Sequence, residues 1–121
     1  MSDLSTIEIK AFVPAKDFAI SKDFYSALGF ECKWSDDTLA YFAFEDTSFL
    51  LQNFYEEEHA KNFVMHLLVQ SADAWWKQIQ EARLSERFSV QVTTPENQPW
   101  GMRDFCLTDP SGVLWRIANN M

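Results

Sequence analysis

The chain has 121 residues, 47% hydrophobic and 16% aromatic, with only three glycines and four prolines, which excludes a disordered or fibrous chain and suits one domain that buries a core without disulfide or metal staples. Ten basic against 18 acidic residues leave a formal charge of −8, repelling nucleic-acid phosphates and anionic lipid headgroups, so neither nucleic acid nor membrane is an expected partner. The opening Met1-Ser2-Asp3-Leu4-Ser5 carries no basic and apolar leader, and no apolar run reaches the roughly 18 residues of a membrane span. Cys32 and Cys106 are far apart and lack metal-ligand spacing, so a cytoplasmic protein with reduced thiols is expected.

Residues 7–15 alternate as a strand, with Ala11, Val13 and Ala15 on one face and Lys10, Phe12 and Pro14 on the other. Asp17 is suited to cap a helix over about 17–28, because Phe18, Ser21, Tyr25 and Leu28 recur at helical spacing and Gly29 can take the left-handed conformation that ends helices. Three strands follow at 30–35, 38–45 and 48–54, parted by polar turns at 35–37 and 45–47. Residues 55–62 are charged, show neither period, and read as a linker with a solvated His59. The pattern then restarts with a strand over 63–70 and a helix over 73–84, capped by Asp73 and carrying Trp76, Ile79 and Leu84. Strands at 87–92, 101–108 and 113–118 complete the chain. Asp109-Pro110-Ser111-Gly112 supplies a tight turn between the last two, since proline presets φ and glycine accepts positive φ.

The order of elements therefore occurs twice. A shift of 56 residues sets Lys10 on His66, Val13 on Val69 and Asp17 on Asp73, and a shift of 63 sets Phe42 on Phe105, Asp46 on Asp109 and Asn53 on Arg116. Two βαβββ modules follow, at about 6–54 and 63–121, in a single domain over 1–121. The phrase Phe24-Tyr25-Ser26-Ala27-Leu28-Gly29-Phe30, together with Trp100-Gly101-Met102-Arg103-Asp104-Phe105, the Asp-Pro-x-Gly turn and a short closing strand, resembles the vicinal oxygen chelate superfamily. Glyoxalase I, extradiol dioxygenases, fosfomycin-resistance enzymes and bleomycin-resistance binding proteins belong to that family. The resemblance covers essentially the whole chain and implies an α+β fold whose two modules curve eight strands into a mixed-sheet cup, with helices outside.

In metal-using members the resemblance implies His or Gln on each module's first strand and Glu on its last. The corresponding positions here hold Lys10, Asn53, His66 and Arg116. Protonated Lys has no lone pair, Arg stays charged and Asn adds no charge, so His66 alone is a good ligand and no divalent metal or other cofactor is expected. Parity places Met102, Asp104 and Cys106 on the cup face with Arg116, and Phe105, Leu107, Val113, Trp115 and Ile117 under the helices. Asp104 is also a candidate ion-pair partner for Arg116.

The residues thus outline a small-molecule site of Lys10, Phe12, Asn53, His66, Met102, Asp104 and Arg116. The favoured function is metal-free ligand binding similar to that of the bleomycin-resistance proteins, with an anionic or carbonyl-rich ligand best suited to the cationic floor. The alternative is a glyoxalase- or dioxygenase-like enzyme with a non-standard site and His66 as general base. A homodimer is expected, because an incomplete sheet leaves a strand edge and because Trp75 and Trp76, adjacent on a helix, cannot both face the core.

Overall fold

In the computed structural model, which describes residues 3–121, the first module is β1 (Phe12–Pro14), α1 (Phe18–Leu28), β2 (Glu31–Ser35), β3 (Leu39–Phe44) and β4 (Thr47–Gln52). The expected first strand over 7–15 is laddered only at 12–14, and Ile7 and Ile9 before it are 97% and 95% exposed. Asp17 caps α1 through its carboxylate, which accepts the Ile20 N–H at 3.1 Å. Gly29 ends the helix at φ 122°, a left-handed conformation that strains any side chain, and a Cβ there would also push aside the Gln78 amide, 2.9 Å away.

The second module contains β5 (Val64–Leu68), α3 (Ala72–Glu81), α4 (Leu84–Phe88), β6 (Glu96–Asn97), β7 (Met102–Thr108) and β8 (Leu114–Asn120), preceded by α2 (Glu57–Lys61) in the expected linker. Two short helices were not legible in the periodicity. An i,i+4 Glu57–Lys61 pair and the buried Ala60 support α2. The expected helix over 73–84 instead runs Ala72–Glu81, because Ser71 rather than Asp73 is the N-cap, accepting the Ala74 N–H at 3.1 Å. Arg83, left-handed at φ 57°, then breaks the helix. The expected strand over 87–92 is replaced by α4, whose Phe88 ring packs edge-on against Phe24 at 5.4 Å. Only a Val92–Leu107 bridge remains of it, and the strand that pairs with β7 is instead the two-residue β6 further along the chain.

The eight strands form two four-stranded mixed sheets, ordered β1-β4-β3-β2 and β5-β8-β7-β6. Each pairs its first strand parallel with its last, β1 with β4 and β5 with β8. The α+β class and the paired modules thus agree with expectation, and ladder bonds join strands within each module. One face of each sheet turns inward to a shared core, in which Phe42, Phe49 and Leu51 meet Phe105, Trp115 and Ile117 between the helices. The Phe49 and Trp115 rings, 5.3 Å apart, hold the modules together. Trp75 and Trp76 are both half-buried, contrary to the expectation that one would be exposed, and Trp76 Nε1 is buried without a hydrogen-bond partner. No helix among the described residues is long and apolar enough to cross a membrane.

Candidate functional site

The inner faces are filled with side chains, so an accessible site has to use the outward faces or the seam between modules. In the second module the parallel register sets His66 directly opposite Arg116, and β7 sets Cys106 on the other side of that arginine. Strand parity turns Val64, His66 and Leu68 outward with Arg116, while Leu67, Trp115 and Ile117 are buried. Val64 and Leu68 are 54% and 53% exposed, so an imidazole and a guanidinium sit side by side, flanked by open apolar surface.

Arg116 Nη1 donates to Asp104 Oδ2 at 3.0 Å, as expected from the sequence. Asp104 is 3% exposed, and its other oxygen accepts from Gln98 Nε2 at 2.9 Å. A buried carboxylate with both oxygens occupied orients Arg116 and neutralises part of its charge. Among the described residues the remaining guanidinium N–H groups have no protein acceptor. Met102 lies half-buried at the start of β7.

The first-module candidates are arranged differently. Phe12 pairs with Leu50, and the Leu50 N–H donates to Ala11 O at 3.0 Å, so Lys10 lies level with Ser48 near the start of β4. Lys10 is bound to Glu8 at 2.7 Å, and Glu8 also accepts from Ser48 and Tyr41 hydroxyls. The Lys10 ammonium and these hydroxyls hold the exposed Glu8 carboxyl down at about 2. Asn53 follows the opposite end of β4, donating through Nδ2 to Asp37 O at 3.0 Å. Five residues of strand separate Ser48 from Asn53, roughly 16 Å. The structure therefore brings His66, Arg116, Asp104 and Met102 onto one outward face and leaves Lys10 and Asn53 at opposite ends of another strand.

The helix caps explain the discrepancy. Asp17 and Ser71 are 54 residues apart, not 56, and the same shift carries Phe12 onto His66. Since Phe12 pairs with Leu50 and His66 with Arg116, Phe12 and Leu50 occupy in module one the places that His66 and Arg116 occupy in module two. Module one's outward face is correspondingly aromatic. Phe12 is 49% and Trp34 50% exposed, and Trp34 pairs with Tyr41 on β3. Trp34, Phe54 and Trp100 are exposed aromatics that sequence reasoning passed over. The outward parity of Trp34 in its strand was the available signal.

The donor set does not fit a divalent ion. Beside His66 stand a cation and a carboxylate already engaged by it, and among the described residues no group of three or more His, Cys, Asp or Glu side chains is placed to hold a metal. Cys32 is exposed and Cys106 half-buried, both as free thiols. His59 is exposed, as expected, with its ring against Phe63.

Two connected clefts open at the seam between modules. The smaller, about 270 Å3, is bordered by Ser48, Met65, His66 and Leu68 above the core rings of Phe49 and Trp115. The larger, about 520 Å3, lies between the β3–β4 turn and the start of α3, and the two share Thr47, Leu67 and Leu68.

Among curated proteins no sequence matches this chain. Among solved structures, the fold is similar to that of a bleomycin resistance determinant encoded on the transposon Tn5, with 22% identity, TM-score 0.80 and 95% of this chain and 98% of that one covered. It is also similar to a bleomycin-binding protein from Streptomyces verticillus in complex with copper(II)-bleomycin, with 20% identity, TM-score 0.79 and coverage of 97% and 100%. A third likeness is to TnmS3, an antibiotic binding protein from Streptomyces sp. CB03234, with 24% identity, TM-score 0.77 and both chains fully covered. The family model for the Glyoxalase/Bleomycin resistance protein/Dioxygenase superfamily matches residues 8–117, and the chain belongs to that superfamily.

Proposed function

We propose that this protein is a metal-free small-molecule-binding protein that holds an anionic or carbonyl-rich ligand on the outward face of its second sheet. The observation that carries this reading is the His66–Arg116 pair on adjacent strands, with free guanidinium donors and apolar Val64 and Leu68 on either side. A planar guanidinium fork binds carboxylate or phosphate oxygens in a bidentate manner, and Asp104 behind it holds that fork in place. Solved proteins of this fold that bind bleomycin or another antibiotic support ligand capture as the function. The net charge of −8 favours cationic partners only at long range, where salt screens it beyond roughly 10 Å, so the local pair dominates recognition.

The aromatic face with Phe12, Trp34 and Tyr41 and the cationic face with His66 and Arg116 belong to different sheets of one chain. A homodimer that sets one copy's aromatic face over the other's cationic face would complete the cup and enclose the ligand. The exposed Ile7 and Ile9, in an extended arm without ladder partners, are the apolar surface such a dimer would bury.

Thermal-shift screening of small carboxylates and phosphates, against basic glycopeptides of the bleomycin type, tests the reading. Stabilisation by anions that disappears in Arg116→Ala is expected. A response confined to the cationic glycopeptides, or one stoichiometric metal per chain by elemental analysis, would overturn it. Light scattering at tens of micromolar should report a dimer that Ile7→Asp with Ile9→Asp converts to a monomer of 14.1 kDa.

A further inference from the structure

The cleft of about 520 Å3 between the β3–β4 turn and α3 adjoins the smaller cleft that His66 borders, but contains neither His66 nor Arg116 and has the opposite chemistry. Its floor is aromatic, with the Phe44 and Trp75 rings tilted against each other at 5.0 Å. Its rim carries Glu45 and Asp46, both exposed, and among the described residues neither is in an ion pair. The start of α3 offsets this charge only weakly, because two of its first three N–H donors are occupied. Ala72 N–H donates to Asn119 Oδ1 at 2.7 Å and Ala74 N–H to Ser71 Oγ at 3.1 Å. Asp73 in the same turn adds a further carboxylate, although Arg103 pairs with it at 3.1 Å.

The cleft is also a place that the other half of the molecule fills. In module two the turn 109–112 docks on the start of α1, where Ser111 Oγ accepts the Lys16 N–H at 2.8 Å and Tyr25 donates to Asp109. The corresponding pair, module one's β3–β4 turn and module two's α3, stands apart around an aromatic floor and two carboxylates.

We infer that this cleft is a second ligand site, selective for a small aromatic cation whose ring packs on Trp75 and Phe44 and whose ammonium faces Asp46 and Glu45. Ring stacking and cation–carboxylate attraction then act on two ends of one molecule, so neither a neutral ring nor an aromatic anion satisfies both.

Tryptamine, indole and indole-3-propionate are the probes, titrated into the 15N-labelled protein. Tryptamine should shift the Trp75 indole N–H and the amides of Asp46, Thr47 and Ala74 saturably, and indole-3-propionate should bind these residues at least about fivefold more weakly. Asp46→Asn with Glu45→Gln should weaken tryptamine about two- to fivefold per carboxylate, towards the affinity of indole. Ala74→Arg, on an exposed helical position, should abolish binding while leaving the thermal midpoint and the anion response of the His66–Arg116 face intact. Equal binding of tryptamine and indole-3-propionate would overturn the inference, as would shifts confined to His66, Arg116 or Trp100, or the absence of a saturable shift. Cleft shifts that depend on protein concentration without any probe would show that a second copy is the occupant, and would overturn it equally.

Discussion

The two hairpin–helix junctions come from one repeated plan and end in opposite states. Four residues after its N-cap α1 carries Ser21, and four residues after its N-cap α3 carries Trp75. Ser21 is small enough for the loop after β7 to close on the helix, with the Ser21 and Ser111 hydroxyls 3.4 Å apart and both residues buried. Trp75 takes up that space at the other junction and packs on Phe30 and Phe44 instead. Eight residues after the caps stand Tyr25 and Ile79. Tyr25 supplies a hydroxyl that donates to Asp109 Oδ2 at 2.5 Å and accepts from Trp115 Nε1 at 2.8 Å, whereas Ile79 offers no polar group to a turn. A closed junction therefore needs a small residue at the first position and a hydroxyl at the second, and the open one has neither.

The largest expected effect is on the closed junction. Asp109 also accepts the Ser111 and Val113 N–H groups at 2.8 and 2.9 Å, so Asp109→Ala leaves three buried donors unpaired and should cost about 3–4 kcal/mol. Asp46→Ala, on the exposed turn, should change stability by less than about 0.5 kcal/mol. Urea denaturation of the two variants checks the pair, and equal costs would break the comparison.

Tyr25→Phe isolates the hydroxyl, keeps the ring, and should cost about 1–3 kcal/mol in the same assay. Trp75→Ser, which gives the open junction the residue of the closed one, should cost about 1–2 kcal/mol through lost packing on the half-buried Phe44 and the edge of the buried Phe30. It should also remove the fluorescence of one tryptophan among five.

A pH series sharpens the contrast. Burial, opposed by the Tyr25 hydroxyl and the turn amides, raises the Asp109 carboxyl above its ordinary value. A raised folded value means that the native state favours the proton, so this contribution to stability is complete below the ordinary carboxyl range and is lost as pH rises through the raised value. Relative to Asp109→Asn, the wild type should lose stability as pH rises above the ordinary carboxyl value of 3.8, while Asp46→Asn should show no such trend. Burial, with the Asp109 charge next, also raises the Tyr25 phenol well above its usual range. Its contribution is present below the ordinary phenol value of 10.0 and is lost only as pH climbs beyond that. A small effect of the opposite sign belongs to Glu45, left-handed at φ 51°. Glu45→Gly should stabilise the open junction's turn by less than about 1 kcal/mol, read as a slight rise in thermal midpoint.

Much of the fold was legible locally. Asp17 with Gly29 bounded α1 correctly, and alternation along β7 and β8 separated the buried Phe105, Leu107, Trp115 and Ile117 from the outward Met102, Cys106 and Arg116, because period and capping chemistry lie within a few residues of chain. The Arg116–Asp104 pair was legible for the same reason, since both lie on adjacent strands of one hairpin. The short helices, the Ser71 cap and the 54-residue offset were not, because Ser71 and Asp73 are both acceptable caps and only the docking of α3 on the sheet selects between them.

The sequence by itself determined which side chains along β7 and β8 are buried, that those two strands pair in a hairpin, and that a guanidinium and an imidazole share one face. Tertiary structure decided which candidates meet. Parallel pairing of β5 with β8 places His66 opposite Arg116, while the register of β1 on β4 puts Lys10 and Asn53 at opposite ends of one strand. Such registers depend on packing between segments some 40 to 50 residues apart. A two-residue slip preserves the alternation of faces that the sequence displays, yet moves every prospective partner by a full repeat of the strand.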